Sequence, residues 1–364
     1  MTTVEYLTAE TEPGRRALDE VMHHSYAGDL QDVPPEWARV RLVDGVPVAY
    51  ILVDPNRQMA FPRGSVRFAF ICDVATREDR RGEGHFRALM EETFLSLRAA
   101  GLALVVTHGR YPLYRRFGFE VFTYHSGIFV TPEQIERRLG VDDSPAGRDL
   151  LTVENHRALH EGLLLVSDIR VQARGEYEAT LRAAASLARE LGRTRILFEH
   201  PAAPSYGSPY PLYASPETPF TALACACGAQ FTLQGADPEA GTIPDADWIK
   251  VLDAAALLGE ALPCGQPLVR PVPPVAVSLE TDAGAVALFS TAGGVTVAGQ
   301  PQVGMERVHW PSAALAQLVT GYQPIDVLCA IHRAPLANDV RTVLGTLFPP
   351  GWRFSRNESW VYKV

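Results

Sequence analysis

Between Arg80 and Arg87 the chain reads RRGEGHFR, with three arginines and two glycines in a short span. An apolar stretch rich in β-branched and aromatic residues, beginning at Phe68, leads into it, and Leu89, Met90, Phe94 and Leu97 follow at helix-face spacing. This order predicts a strand, a tight turn and a helix N-terminus. Such a turn presents backbone N–H groups that no helical carbonyl can reach, together with the positive end of the helix dipole, so it binds an anion without a dedicated cationic pocket. Gly82 and Gly84 let a ligand come close to the backbone. Arg80, Arg81 and Arg87 read either as phosphate contacts or as a solvated basic turn. His85 reads first as a helix N-terminal residue.

The elements needed to hold this turn are legible around it. Val4 to Leu7 predicts a strand and Arg15 to His24 a helix with Leu18, Val21 and Met22 on one side. Arg39 to Val43 and Val46 to Val53 form two β-rich runs around Asp44-Gly45, a dipeptide suited to the left-handed dihedrals of a hairpin turn. The helix after the anion turn runs from about Gly84 to Ala100 and stops at Gly101. A strand from Leu102 to Thr107, a short helix from Tyr111 to Phe117 and extended structure from Glu120 to Val130 complete the order β, α, β, β, β, α, β, α, β.

With 364 residues and 47% hydrophobic content the chain can bury a full core in two or three domains. The opening MTTVEYLTAETEPG lacks a basic-then-apolar leader, and no apolar run approaches the roughly 20 residues that span a bilayer, so a cytoplasmic protein is expected. The five cysteines, Cys72, Cys225, Cys227, Cys264 and Cys329, suit buried thiols rather than a disulfide framework. Cys225 and Cys227 are too close for the usual metal clip and have no second pair, so no metal is expected. A formal net charge of −9 argues against nonspecific nucleic-acid binding and favours a cationic small partner.

Three motifs together carry a family resemblance. Val74-Ala75-Thr76, then Arg81-Gly82-Glu83-Gly84-His85-Phe86, then Leu113-Tyr114-Arg115-Arg116-Phe117-Gly118-Phe119 resemble the acetyl-CoA-binding signatures of the GNAT N-acetyltransferases, over about the first 135 residues. Arg81 and Gly84 match the R-x-x-G-x-G/A loop, and Phe86 replaces its small residue. The resemblance implies that backbone N–H groups from Gly82 to Arg87 bind the pyrophosphate of acetyl-CoA, the cosubstrate, and that its pantetheine arm adds as a pseudo-strand beside Val74 to Thr76. His108-Gly109-Arg110 is expected at the acyl end. Tyr114 resembles the tyrosine that protonates the leaving thiolate, and a phenol near its ordinary pKa of about 10 is suitably protonated at neutral pH; the alternative is plain core beside Phe117 and Phe119.

The remainder is similar to Eis-like acetyltransferases, with a linker at Val141 to Asp149. This implies an α/β (α+β) chain divided into a GNAT domain with a mixed sheet (1–148), a degenerate GNAT-like domain (149–244) and a sterol-carrier-like C-terminal domain (245–364). In the second domain a helix from Tyr177 to Leu191 and a strand from Arg195 to Glu199 echo the back half of the fold. Its nearest phosphate-loop candidate, Ala173-Arg174-Gly175-Glu176, lacks a second glycine and a strong preceding strand, so one active site per chain is expected. In the third, Asp253 reads as the N-cap of a helix from Ala254 to Leu262, and Asp282-Ala283-Gly284 as a turn between strands.

In Eis-like enzymes the chain's own terminal carboxylate serves as base, which points to Val364; Trp360 to Val364 is apolar enough to dock or to form an edge strand. Asp73, on the motif strand, and His108, which titrates near neutrality, are the other bases. Ser25, Tyr26 and Trp37 are unranked candidates for the acceptor pocket. The reading is an N-acetyltransferase acting on a primary amine of a small molecule, a peptide or an exposed lysine by direct transfer, with homo-oligomerisation left open and no nucleic-acid or membrane partner. The alternative is a non-catalytic acyl-CoA-binding or lipid-binding scaffold.

Overall fold

The computed structural model describes residues 3–25, 34–61, 64–109, 113–124, 126–141, 147–154, 162–169, 176–199, 219–233, 246–262, 271–291, 294–321 and 323–349. These fall into two compact units: the described residues up to Phe122 and from Asp247 onward form one, and those from Thr123 to Ala246 form the other. In chain order the first unit begins with β1 (Val4–Thr8), α1 (Glu12–His23), β2 (Ala38–Val43), β3 (Val46–Ala60), β4 (Ser65–Thr76), α2 (His85–Ala99), β5 (Leu104–Gly109) and β6 (Glu120–Tyr124). Next come β7 (Ser126–Val130), α3 (Pro132–Leu139), β8 (Leu151–Glu154), β9 (Leu163–Ile169), α4 (Glu176–Glu190), β10 (Arg195–Glu199), α5 (Pro219–Ala226) and β11 (Gln230–Leu233). The chain then returns to the first unit with β12 (Ala246–Val251), α6 (Ala254–Ala261), β13 (Val275–Thr281), β14 (Gly284–Thr291), β15 (Gly294–Ala298), β16 (Glu306–His309), α7 (Ser312–Val319), α8 (Ile325–His332) and α9 (Asn338–Leu347).

Local chemistry sets many of these boundaries. Asp44 and Gly45 both take left-handed dihedrals (φ +50° and +77°) and close the β2–β3 hairpin. Thr11 caps α1 by accepting from the Gly14 N–H, and Asp253 caps α6 by accepting from the Ala255 and Ala256 N–H groups. Gly101, with φ +78°, follows the end of α2. The sequence pattern ends the second hairpin strand at Val53, whereas β3 continues to Ala60. It does so through an irregularity at Asp54–Arg57, where a buried ion pair satisfies both charges.

The first sheet has the order β1-β2-β3-β4-β5-β12-β6, the second β11-β7-β10-β9-β8 and the third β15-β14-β13-β16. The extended run expected from Glu120 to Val130 is therefore divided, with β6 at an edge of the first sheet and β7 inside the second. β12 takes the corresponding inner place of the first sheet, between β5 and β6. Alternating apolar residues mark a strand but not its partner, so this exchange is invisible in the local pattern. The short strands β8, β9, β11 and β16 likewise add to the elements read from sequence. β9 also corrects the expectation that no strong strand precedes the second-unit helix: its Leu163 and Leu164 are buried, and it pairs in parallel with β10.

One irregularity shapes the first sheet. Opposite β3 the register passes from Leu52↔Asp73 to Val53↔Ile71, leaving Cys72 as an extra residue on β4. A bulge of this kind bends its strand. The parallel ladder between β4 and β5 runs from Phe68↔Leu104 to Ile71↔Thr107 and ends there, one residue before the bulge, while β4 continues to Thr76. The two strands therefore part at the end where α2 begins. α2 holds this geometry through buried Leu89, Met90 and Leu97, each contributing about 1.5–3 kcal/mol of apolar burial, and it packs across β3 and β4. A second cluster, including Leu18, Val21, Val40, Tyr50 and Leu52, fixes α1 against the same sheet.

Candidate active site

The loop between β4 and α2 makes a short 3-10 turn at Glu78–Arg80 and then passes through Gly82 (φ +88°) and Gly84 (φ +84°). Both dihedrals favour glycine, and a Cβ at either position would meet no atom within 4 Å, so backbone conformation rather than crowding calls for glycine here. No side chain caps α2. The Ala88 N–H, bonded to the Gly84 carbonyl at 3.1 Å, begins the helical ladder, and the amides of His85, Phe86 and Arg87 precede it.

Charges around the loop are sorted by ion pairing. Arg80 forks onto Glu83 at 2.9–3.1 Å, and this guanidinium, with His85 Nε2 at 3.1 Å, holds the Glu83 carboxyl below its ordinary range. Arg81 lies 3.9 Å from Glu78. Arg77 is engaged by Asp79 and Glu20. Arg87 and Arg116 are exposed and have no carboxylate within ion-pair distance among the described residues, so together with the helix amides they give this face its net positive character.

A cavity of about 530 Å³ opens against the loop. Its wall includes Val74, Ala75 and Thr76 on the diverging end of β4, Arg80 to Gly82 and Gly84 to Arg87, and Leu113, Arg116 and Phe117 from the turn after β5. The fold thus brings together the three segments that the sequence singles out. Ser25 also borders the cavity, although its hydroxyl is committed to the Val21 carbonyl at 2.6 Å. Trp37, in a 3-10 turn at Pro35–Trp37, does not line it. Leu113, Arg116 and Phe117 belong to the Tyr114 motif but are not singled out as cavity residues by sequence; the pairing of that motif with the glycine loop is the signal that points to them.

Phe86 replaces the small residue of the resembled loop, and its ring meets that of Phe117 edge-on, with centroids 5.2 Å apart. This contact joins the helix start to the Tyr114 turn and explains how the larger side chain is accommodated.

Tyr114 opens a 3-10 turn, Tyr114–Phe117, within the short helix expected from Tyr111 to Phe117, of which residues 111–112 lie outside the described set. Gly118 closes the turn at φ +77°. The phenol is buried rather than part of the cavity wall, and it is hydrogen-bonded to Thr107. Burial pushes its pKa above the ordinary phenol value; the Thr107 contact opposes this and the nearby Asp73 carboxylate adds to it. Thr107 in turn donates to the Ile71 carbonyl at 3.2 Å, where the β4–β5 ladder ends. Just beyond the bulge, Asp73 accepts from the Tyr50 hydroxyl (2.8 Å) and from the Val74 N–H (2.7 Å). A protonated acid and a carboxylate therefore flank the parting strands.

His108 and Gly109 close β5. Arg110, Val364, Tyr26, Cys264 and the loop candidate at 173–175 lie outside the described residues, as does the His108 side chain. Cys72, Cys225, Cys227 and Cys329 form no disulfide; Cys227 is buried as expected, whereas Cys225 is exposed and Cys72 and Cys329 are half-buried. Among the described residues no cluster of three His, Cys, Asp or Glu side chains is arranged to hold a metal, and no helix is long and apolar enough to cross a membrane.

Comparison with known proteins agrees with this geometry. Residues 54–122 match the model of the acetyltransferase (GNAT) domain, a segment that contains β4, the glycine loop, α2 and Tyr114. Among solved structures, a GCN5-related N-acetyltransferase from Kribbella flavida is similar over 96% of this chain and 97% of its own, with TM-score 0.67 and 14% identity. One from Anabaena variabilis is similar over 97% and 100%, with TM-score 0.67 and 13% identity. Eis1 from Mycobacterium abscessus is similar over 97% and 98%, with TM-score 0.61 and 13% identity. At these identities the likeness is one of fold, and it extends over nearly the whole chain. No curated protein matches the sequence.

Proposed function

We propose, from the premise that residues 54–122 match the model of the acetyltransferase (GNAT) domain, that this chain is an acetyl-CoA-dependent N-acetyltransferase whose acceptor is a primary amine on a small molecule, a peptide or an exposed lysine. The observation that carries the reading is the parting of β4 from β5 beside an uncapped helix start, with a cavity bordered by Val74 to Thr76 of β4, the glycine loop and the start of α2. The amides from Gly82 to Arg87 suit a pyrophosphate, and the absence of any Cβ at Gly82 and Gly84 leaves the backbone accessible to it. Backbone groups of Val74 to Thr76 suit an extended chain of amides added beside β4, as strand addition generally does.

In the transfer, the amine nitrogen bonds to the acetyl carbon, the carbon–sulfur bond breaks, and Tyr114 donates its proton to the departing sulfur. Neither the glycine loop nor the Tyr114 motif contains a Cys or Ser, so the acetyl group passes directly to the amine rather than through the enzyme. The proposed base is the terminal carboxylate of Val364, carried over from the Eis-like resemblance; Gly109 and Arg110 belong at the acyl end on the same grounds. Residues 1–148 are then the catalytic domain, 149–244 a degenerate copy and 245–364 a sterol-carrier-like domain that lends β12 to the catalytic sheet. The cytoplasm is the proposed site of action.

Turnover of acetyl-CoA with a panel of amines tests the reading. Wild type is expected to release CoA in the presence of at least one primary amine, and Tyr114→Phe to lose most of that rate; an unchanged rate removes Tyr114 from the mechanism. Deleting Val364 or extending the chain past it is expected to abolish turnover, and full activity in both variants rejects the terminal carboxylate as base.

A further inference from the structure

The Tyr114 turn rests on a residue far away in sequence. Lys250 belongs to β12, the strand inserted between β5 and β6. Its ammonium lies 5.4 Å from the centre of the Phe94 ring on α2, within cation–π range. It also fills the space beside Gly118, where an added Cβ would stand 3.0 Å from Nζ. Phe94 in turn meets Phe117 and Phe119, with ring centroids 6.4 and 5.8 Å apart, and Phe119 meets Tyr114 at 5.7 Å. One ammonium therefore lies beside both the glycine that closes the Tyr114 turn and the ring on which the turn's aromatic residues rest.

A surface lysine normally extends its charge into water. Lys250 is instead partly enclosed, and burial lowers its pKa while the Asp282 carboxylate acts in the opposite direction. Asp282 does not hold it in an ion pair: its oxygens receive the N–H and hydroxyl of Ser312 at 2.6 and 3.0 Å, at the start of α7. Enclosing an ammonium is costly unless nearby groups compensate. The compensation here comes from the Phe94 face.

We infer that Lys250 is a positioning residue for Tyr114, a cation from β12 that clamps the 3-10 turn between Gly118 and Phe94. The inference rests on the acid role proposed for Tyr114. On this account the N-terminal motifs alone do not make a complete site, because the turn carrying the acid is held by a strand that follows the second unit in sequence. The charge holds the turn without lining the CoA cavity, so its loss misplaces the phenol and leaves cosubstrate binding in place.

The test compares Lys250→Met, Lys250→Arg and Tyr114→Phe in the full-length chain, measuring kcat, the KM for acetyl-CoA and the thermal midpoint. Lys250→Met, which keeps length and apolar packing, is expected to lower kcat about 10-fold with the acetyl-CoA KM within about twofold; Lys250→Arg, which keeps a cation over the ring, recovers kcat to within about threefold of wild type. Wild-type kcat in Lys250→Met, with Tyr114→Phe inactive, overturns the positioning role and leaves the acid role intact. Equal loss in the Met and Arg variants with equally lowered midpoints shows a packing role only and also overturns it. Full activity in Tyr114→Phe removes the acid role itself. If Lys250→Met does not fold, Phe94→Leu, which withdraws the ring but keeps apolar fill, carries the same expectation of lowered kcat at unchanged KM, and wild-type kcat there overturns the inference.

Discussion

The two units contain the same β-α-β element with different ends. In the first, β4 and β5 are parallel and joined by α2; in the second, β9 and β10 are parallel and joined by α4. Both first strands carry an extra residue where the ladder stops. Cys72 follows Ile71, the last partner of β5, and Ser167 follows Val166, the last partner of β10, where the β8–β9 register passes from Thr152↔Asp168 to Val153↔Val166. Each inner sheet position beyond is filled by a strand from elsewhere in the chain, β12 in one and β7 in the other. The difference lies at the helix start. The first turn of α2 has no acidic residue, whereas α4 begins with Glu176 and Glu178. Carboxylates there satisfy the helix dipole internally and repel a pyrophosphate. A bend that parts two strands is thus separable from the cradle that attracts an anion, and only the first unit combines them among the described residues.

The largest effect is expected on removing the buried phenol of the first unit, the proposed acid. Tyr114→Phe is expected to lower kcat about 100-fold while leaving the acetyl-CoA KM within about twofold, as measured by steady-state kinetics. A smaller effect is expected on making α2 resemble α4. Arg87 occupies the third helical position, as Glu178 does in α4, and Arg87→Glu should weaken CoA binding about 10-fold by titration calorimetry.

The pH dependence sharpens the contrast further. Burial raises the Tyr114 pKa, so the protonated phenol persists to higher pH than usual and kcat should hold until above about 10. A kcat profile that falls below about pH 9 for loss of an enzyme acid would assign that role to another group. The smallest effect is expected in the second unit. Glu178→Arg, which gives α4 the charge that α2 carries, should leave calorimetric stoichiometry at one CoA per chain, because Glu176 remains; a second bound CoA would show that a single carboxylate keeps that site closed.

How much of this is legible in sequence follows from the range of the interactions. The glycine loop, the Asp44-Gly45 hairpin and the Asp253 cap are set by neighbouring residues, and their patterns can be read directly. The link between the glycine loop and the Tyr114 motif is visible through family resemblance, and the structure adds its physical basis in the Phe86–Phe117 contact. The Cys72 bulge is not legible, because an extra residue appears only when β4 is set against β3. Nor is the place of β12, whose apolar pattern in Trp248 and Ile249 fits any inner strand. Lys250 escapes for the same reason: from the sequence it is one more charged residue in a strand, and its meaning comes from Phe94 and Gly118, more than a hundred positions away.

One CoA thioester site is proposed, where β4 parts from β5 at the start of α2. A co-structure with CoA tests it most directly. One CoA per chain is expected, its pyrophosphate on the amides between Gly82 and Arg87 and its thiol within about 3.5 Å of the Tyr114 hydroxyl. CoA bound at the start of α4, or a thiol beyond reach of Tyr114 with the pyrophosphate in place, would contradict it.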